Sequence, residues 1–597
     1  MAKVQTVYQN IAPFGGLDQS AEPEFINPNM AQDMCNFINI GGKLRTVPPI
    51  SARDGLQGAT MYWQGGDSDG QEFPFKMREI QWFGELEVTH HATGVTGYKP
   101  TTIPVYCFVA LDGTLTDRSY VCYQNLAGTW KVLYSGAGPY GSSIYIGYAH
   151  QYIYKGKPTF VCAGAKRVFG DPSRALESRF FGLVYEKDLD QINLRYADEE
   201  TWGNTEGGRY LAMNNERSFV AGIYEKGNSN NLYQNRVKYS KSLLVFDFRE
   251  VEYPSTSGGI IDIGRNGERI IGLYAYLDTV VVFKPSGLFV IRGTDEPFTV
   301  DAVPGNITPI DSDNIAIEKN GLLYFLTPEG LAYYNGSYTK MMPGSDKIKG
   351  LIGSLYYRGN LQGESSSFRV LAGGNYILII CSGRQNGAHF IFYDLTLGEY
   401  FYMELPFGYI SFAKFYEEIE TSVTGGNAGL HLAFSHEMSM AQNPLNENEE
   451  DLRYQVSPIL HMNMMDKTTD APVINFRSTM QILYPNVEDP ELGIDYFKQL
   501  DAYWTTPRLG ADTPNKIKSL ESARVFGLAV DSVYSNDSNH TIIDKIAGKI
   551  SIQPKLYARK PKLKRAKEKS LGVIATSQVT VYTNAANPTF DGTWAAG

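Results

Sequence analysis

Gly321-Leu322-Leu323-Tyr324-Phe325-Leu326-Thr327-Pro328-Glu329-Gly330-Leu331-Ala332-Tyr333-Tyr334-Asn335-Gly336 is an apolar run, a turn, a second apolar run and a second turn. Runs of four to five residues are too short for a stable helix and rich in the aromatic residues that suit a pleated surface. Thr-Pro-Glu-Gly and Asn-Gly supply the preset and positive φ values of tight turns. The stretch therefore reads as a hairpin. Working outward, Ile270–Tyr276 and Thr279–Phe283 meet a Pro285-Ser286-Gly287 turn and then Leu288–Ile291. Further on, Tyr376–Cys381, a loop at Gly383–Gly387, Phe390–Asp394 and Gly398–Tyr402 repeat the design. This unit returns about every 50 residues, near the length of a propeller blade. No Trp-Asp dipeptide closes a strand and no regular kelch Gly-Gly pattern occurs. The same text also fits a β-sandwich pair or an irregular β-solenoid.

Composition agrees with an all-β chain. Aromatic residues make up 13% of the 597, carried by 40 Tyr and 30 Phe, alongside 59 Gly. The expected fold is all-β: an irregular β-propeller over 61–415, an N-terminal extended arm over 1–60, and an additional C-terminal β-rich domain over 416–597 bearing exposed insertions. In the arm, Gly15-Gly16, Pro28 and Gly41-Gly42 punctuate the chain, and one short helix is expected near Met30–Met34. After Glu418 the text changes to Gly425-Gly426, an acidic polar stretch at Asn446–Asp451 and the methionines Met462, Met464 and Met465. Strands resume at Val473–Phe476, Ala523–Val530 and Ser577–Tyr582.

The net charge of −10 argues against a general nucleic-acid-binding surface, although a conduit past which DNA slides would tolerate weak or repulsive walls. Five widely spaced cysteines (Cys35, Cys107, Cys122, Cys162 and Cys381) contain no Cys-x-x-Cys pair, so buried free thiols made in a reducing cytoplasm are expected. The opening residues hold no apolar leader, and no stretch reaches the ~18 apolar residues of a membrane-spanning helix.

No catalytic constellation emerges. The eight histidines are scattered, adjacent only at His90-His91 and moderately spaced at His431 and His436, where loop histidines are the plain reading. No Gly-x-Ser-x-Gly elbow or phosphate-cradling Gly-Lys-Ser/Thr loop occurs. Phe590-Asp591-Gly592-Thr593-Trp594 shares only part of a sialidase Asp-box, once, and Asp67-Ser68-Asp69-Gly70 is too short for a calcium loop. We expect no enzyme, metal or cofactor. One cationic cluster stands out: Lys555, Arg559, Lys560, Lys562, Lys564, Arg565, Lys567 and Lys569. It suits contact with DNA phosphate or an acidic partner, and equally a solvated, lysine-guarded strand pair. Tyr557 alone interleaves it, so base stacking is not indicated.

Three stretches resemble the tail nozzle (tail tubular protein B-like) family of short-tailed bacteriophages. The first is Phe14-Gly15-Gly16-Leu17-Asp18, followed by Ala31–Asn36 and Gly41-Gly42-Lys43-Leu44-Arg45-Thr46-Val47-Pro48. The second joins Arg217–Gly222, Asn235–Ser240 and Phe246-Asp247-Phe248. The third is Val280–Gly293 with Asn320–Gly336. Coverage is about 1–60 and 210–410; the Lys-rich segment departs from the pattern. The resemblance implies a virion-tail subunit forming a homo-oligomeric, hexameric ring below adaptor and portal. That ring prolongs the channel for double-stranded DNA, read without sequence specificity, and bears fibres or tip proteins. A receptor-binding or glycan-degrading propeller of a phage is the alternative.

Overall fold

The computed structural model describes residues 13–52 and 62–416 apart from short gaps. Beyond 416 it describes the segments 429–439, 453–456, 459–462, 473–475, 497–499, 502–505, 522–528, 550–552, 555–558, 569–573, 579–581 and 589–595. Within them the chain is a β-propeller, built from six antiparallel meanders in chain order and a mixed sheet that closes the ring.

The first meander has five strands, Tyr62–Gly66 to Trp130–Ser135, with Glu72–His91 the longest. Five four-stranded meanders follow: Tyr148–Tyr154 to Gln191–Tyr196, Thr205–Asn214 to Gly259–Asp262, Gly272–Tyr276 to Thr299–Ala302, Ala316–Lys319 to Thr339–Met341, and Ser367–Gly373 to Glu399–Leu405. Each sheet packs face to face on the next. The second strand of the fourth sheet, Thr279–Lys284, is buried at all six positions, and the third strand of the sixth, Gly387–Asp394, at all eight. That is why the sequence there runs continuously apolar rather than alternating: both faces of a middle strand meet a neighbouring sheet.

The buried core follows the ring around. Trp82, Val105, Phe160 and Leu183 join the first and second sheets, and Val161, Val220, Val237 and Val282 join the second, third and fourth. Phe283, Phe325, Phe390, Ile410 and Leu432 carry the core from the fourth sheet to the closing one. Phe83, Phe108, Phe412 and Ala433 then seal the closing sheet onto the first, with the Phe83 and Phe412 rings 5.0 Å apart, edge to face.

The closing sheet draws on distant parts of the chain. Its order is Tyr409–Tyr416, Gly429–Ser439, Ile459–Met462, Ile50–Ala52, Val473–Asn475 and Phe497–Gln499, and Arg453–Val456 pairs with the far end of Gly429–Ser439. Ile50–Ala52 is antiparallel to Ile459–Met462 and parallel to Val473–Asn475. An N-terminal strand thus locks into a sheet that spans residue 415. At Gly373 the sixth sheet approaches this sheet so closely that an added Cβ would overlap the Phe415 ring.

The arm packs on the last meander rather than the first. Leu17 N–H donates to the Tyr400 carbonyl (2.7 Å) and Asn36 N–H to the Tyr402 carbonyl (2.9 Å), capping the outer edge of the sixth sheet. Gly16 is required there, because a Cβ would overlap the Tyr400 carbonyl oxygen. The helix expected near Met30–Met34 does not form. Asp33–Cys35 is instead a strand paired with Tyr503–Thr505, and Asn36 turns the chain with φ 56° into the hairpin Phe37–Ile40 with Lys43–Thr46. Long-range pairing overrides the local helical text. One α-helix, Asp346–Leu361 (α1), lies between the fifth and sixth sheets with Ile348, Ile352 and Leu355 in the core. The remaining C-terminal strands pair in twos: Ser522–Leu528 with Thr589–Ala595, Ile550–Ile552 with Val579–Val581, and Lys555–Ala558 with Lys569–Val573. Among the described residues no helix is long and apolar enough to cross a membrane.

Candidate functional site

In an up-and-down meander the first and third turns emerge on one face and the second on the other. On the face of the first and third turns, neighbouring tips are clipped together by side chains. Asp190 accepts from the Leu126 and Ala127 N–H groups (3.2 and 3.3 Å), joining the first two sheets. Asn214 donates to the carbonyls of Leu277 (2.9 Å) and Thr279 (3.0 Å), joining the third and fourth. The Tyr276 hydroxyl donates to the Gly321 carbonyl (2.6 Å), and Arg292 to that of Gly336 (3.2 Å), joining the fourth and fifth. The bonds from Asn214, Tyr276 and Arg292 satisfy carbonyls of the neighbouring tips, while Asp190 satisfies two backbone N–H groups. Several apolar side chains stand exposed at or beside these tips. Ile153, Leu189, Leu243 and Leu277 are each more than half exposed, and Tyr338 and Leu397 lie nearly as open. Turns more often hold polar residues, so apolar side chains exposed beside them set this face apart.

The opposite face carries the connections between sheets, among them one that reaches across the ring. The loop from the fourth to the fifth sheet folds inward. Ser312 exchanges hydrogen bonds with Phe368 of the sixth sheet (2.8 and 3.0 Å), and Arg269 pairs with Asp311. Ile315 N–H donates to the Tyr274 hydroxyl (3.0 Å), and Asn314 N–H donates to the Tyr148 hydroxyl at 3.3 Å. Tyr148 lies on the first strand of the second sheet, so this last bond crosses the ring between sheets two and five. Beside it His150 hydrogen-bonds the Leu211 carbonyl (3.2 Å); burial pushes its imidazole below the usual histidine range, against the pull of that bond.

The motif at Arg217–Gly222 builds the strongest joint. Arg217 is fully buried and donates to the carbonyls of Ser240 (2.7 Å) and Ser257 (2.8 Å) and to Asp295 Oδ1 (2.9 Å). Its guanidinium lies 6.0 Å from the Tyr239 ring centre and 5.9 Å from that of Phe298. This one side chain ties the third sheet to the fourth. In the same loop burial of Asp247 is outweighed by hydrogen bonds from Arg249 and Lys241, which hold its carboxyl below the ordinary range. Lys284, also fully buried, donates to the Ile263 carbonyl (2.7 Å) and lies 3.4 Å from Glu268. Burial of Glu268 is likewise outweighed, by bonds from Ser286 and by Lys284, and its carboxyl is lowered. The charged ends of Arg217, Lys284, Asp247 and Glu268 each meet hydrogen-bond or ion-pair partners, which suits a rigid joint.

Of the cationic cluster, Lys555 opens one strand and Lys569 the strand antiparallel to it, with Ala558 opposite Lys569. Arg559, Lys560, Lys562, Lys564, Arg565 and Lys567 lie outside the described residues, as do Asp67–Gly70. His90 and His91 stand on a strand opposite Lys99 and Tyr98 rather than in a loop. His431 is buried within the closing sheet, opposite Lys414 on one side and His461 on the other, and His436 stands opposite Val456. Phe590–Trp594 lies within a regular strand paired with Ala523–Gly527. All five cysteines are buried and free. Among the described residues no group of three or more His, Cys, Asp or Glu is placed to hold a metal. Sequence reasoning missed the contact across the ring and the apolar side chains exposed beside the tips. Lone leucines inside turn text, as in Tyr276-Leu277-Asp278-Thr279, were the signal for the latter; nothing local marks Tyr148.

No family model matches the chain, and no curated protein matches it. Among solved structures the chain is similar to that of U3-55K, at 11% identity and a TM-score of 0.29, over 60% of this chain and 91% of that one. It is also similar to the RRP9 WD40 repeats, at 11% identity and a TM-score of 0.29, over 65% and 99%. Likeness at this level carries no argument about function, and the propeller architecture rests on the sheet order itself.

Proposed function

We propose that this chain is a non-enzymatic structural subunit of the tail nozzle of a short-tailed bacteriophage. In this reading copies associate into a hexameric ring beneath the adaptor and portal. The ring prolongs the DNA channel, takes part in genome retention and ejection, and bears fibres or tip proteins. The subunit is made in the host cytoplasm and ends in the virion tail. The observation that carries the reading is where the resembling text falls. Phe14–Asp18 and Ala31–Val47 make the arm that caps the sixth sheet, and Arg217–Gly222 with Asn235–Ser240 makes the buried arginine joint. Both are mechanical joints, as a load-bearing wall requires.

The contact across the ring adds a constraint. Tyr148 and Asn314 meet across the propeller, so in this reading DNA runs between protomers and never along a propeller axis. Closed rings are made by two unlike faces of each subunit, and the face with apolar side chains exposed beside its tips differs in kind from the opposite one, which carries the connections. Lys555, Lys569 and the cationic residues between them are assigned to DNA phosphate or an acidic neighbouring ring. The isolated chain is a monomer or weak oligomer that assembles on the adaptor; a stable hexamer purified without the adaptor would contradict that.

The decisive experiment is electron microscopy of virions carrying a tag on this chain. Label in a ring at the distal tube supports the nozzle. Label on side appendages moves a receptor- or glycan-binding propeller forward, and particles without label remove the viral reading.

A further inference from the structure

The arm lies between the sixth sheet and the strand Tyr503–Thr505, and its two sides are held differently. Toward the sixth sheet it is both bonded and sealed. Beside the backbone bonds of Leu17 and Asn36, Gly16 N–H donates to Glu399 Oε2 (3.0 Å), and Asn36 Oδ1 accepts from Glu404 N–H (3.1 Å). Leu17, Ala31, Met34, Ile38 and Val47 are buried in one cluster with Tyr400, Phe401, Tyr402 and Met403. The arm is also bonded to itself. Gly15 N–H donates to the Asn29 carbonyl (2.6 Å), Ala31 N–H to that of Gly16 (2.8 Å), and Val47 N–H to that of Asn36 (3.0 Å). It is one body, fixed to the propeller.

The other side carries a ladder of three pairs, Asp33 with Thr505, Met34 with Trp504 and Cys35 with Tyr503, and Gln32 N–H donates to the Thr505 carbonyl (2.9 Å). Tyr503 and Thr505 are exposed, and Trp504 alone of the three is part-buried. Its indole N–H donates to the Gly15 carbonyl (3.2 Å), and its ring meets Phe14 edge to face at 5.1 Å. It also packs against the cluster that seals the arm. Among the described strands this is the last pairing that joins the C-terminal region to the propeller. Phe497–Gln499 is held upstream in the closing sheet, whereas the strands from Ser522 onward pair only with one another.

We propose that Trp504 is a releasable peg. Seated on Phe14 and Gly15, it docks the C-terminal region on the arm; drawn out, it lets the strands from Ser522 onward move independently while the ring stays closed. Three backbone pairs with two exposed side chains bury little apolar surface, so the indole supplies most of the hold. Indole suits the task, because it joins a large apolar ring to a single directional N–H donor. The arm keeps its own place without the peg: its bonds to the sixth sheet and the pairing of Ile50–Ala52 in the closing sheet involve other residues. Opening at Trp504 is therefore a local event, lower in energy than opening of the sheets. The device stands on strand pairing and packing, independent of the tail-nozzle reading.

Hydrogen exchange of the full chain tests the peg. Trp504→Ala is expected to speed exchange at Gln32 and Tyr503–Thr505 by about tenfold or more, with Leu17, Asn36 and Gly387–Asp394 level. Trp504→Phe, which keeps a ring against Phe14 and loses the N–H, is expected to fall between parent and Trp504→Ala. Spin labels at Leu397→Cys, on an exposed tip, and on the strand Thr589–Ala595 report the motion. Their distance distribution is expected to widen in Trp504→Ala. Exchange at Tyr503–Thr505 that Trp504→Ala leaves unchanged would mean that the ladder holds without the peg. Protection lost equally at Leu17, Asn36 and Gly387–Asp394 would make Trp504 core packing, and an unchanged distance distribution would mean that nothing is released. Any of these three results overturns the proposal.

Discussion

Arg217 shows how a single residue sets the register of two sheets. Its side chain is fully buried, and two of its partners are carbonyls at the ends of a long connection, Ser240 and Ser257. Removing the guanidinium strands both carbonyls away from water, a cost of about 1–3 kcal/mol for each buried unsatisfied group. Arg217→Met, close in volume, is therefore expected to lower stability by roughly 2–4 kcal/mol, read as a shift in urea midpoint. Asp295 is about half exposed, so Asp295→Asn is expected to cost under about 1 kcal/mol. Equal losses from the two would show that the ion pair, not carbonyl satisfaction, holds the joint. Asp247 gives the pH counterpart. Hydrogen bonds from Arg249 and Lys241 hold its carboxyl low despite burial, so its contribution is present above the ordinary carboxylate pKa and lost as pH falls through the folded value. Acid titration of Asp247→Asn is expected to show a shallower loss of stability over that window than the parent; an unchanged slope would remove Asp247 from the account.

At the scale of elements, what was legible in the text depended on whether partners were close in sequence. The hairpins at Leu322–Tyr334 and Thr279–Ile291 were readable because both strands and their turn lie within one short window. The closing sheet was not, because Ile50–Ala52 has three residues, no period, and partners beginning at Ile459. Met30–Met34 read as a helix because its true partner, Tyr503–Thr505, lies at the other end of the chain. The cationic cluster was legible as composition alone, since spacing in a sequence does not say what a lysine faces. The short closing strand has a testable consequence. Ile50 is fully buried between two strands, so Ile50→Ala is expected to cost about 2–5 kcal/mol. Exchange should then rise in Ile459–Met462 while the hairpin Leu322–Tyr334 stays protected at low denaturant. Uniform loss of protection in both would mean that the closing strand is no weaker than the rest of the ring.

At the scale of the molecule, four buried apolar clusters lie between successive sheets from the first through the sixth to the closing sheet and back. A ring coupled in this way has no free end at which to fray, so its sheets should unfold together once the closing strand yields. The C-terminal strand pairs differ, because Ser522–Leu528, Ile550–Ile552 and Lys555–Ala558 pair only with Thr589–Ala595, Val579–Val581 and Lys569–Val573 among the described strands. Small two-stranded units bury too little apolar surface to share the stability of a packed ring. Hydrogen exchange is therefore expected to separate two classes at equilibrium, one spanning the sheets from Tyr148 to Leu405 with a common opening energy, the other spanning the C-terminal pairs with a lower one. Phe283→Ala, which removes a fully buried ring between the fourth and fifth sheets, makes the test sharp. Its cost of about 3–5 kcal/mol should appear as one shift shared by every propeller sheet and absent from the C-terminal pairs. A shift confined to the fourth and fifth sheets would mean that the propeller opens blade by blade. Stiffness would then have to come from neighbours in an assembly, because the closed core could not supply it.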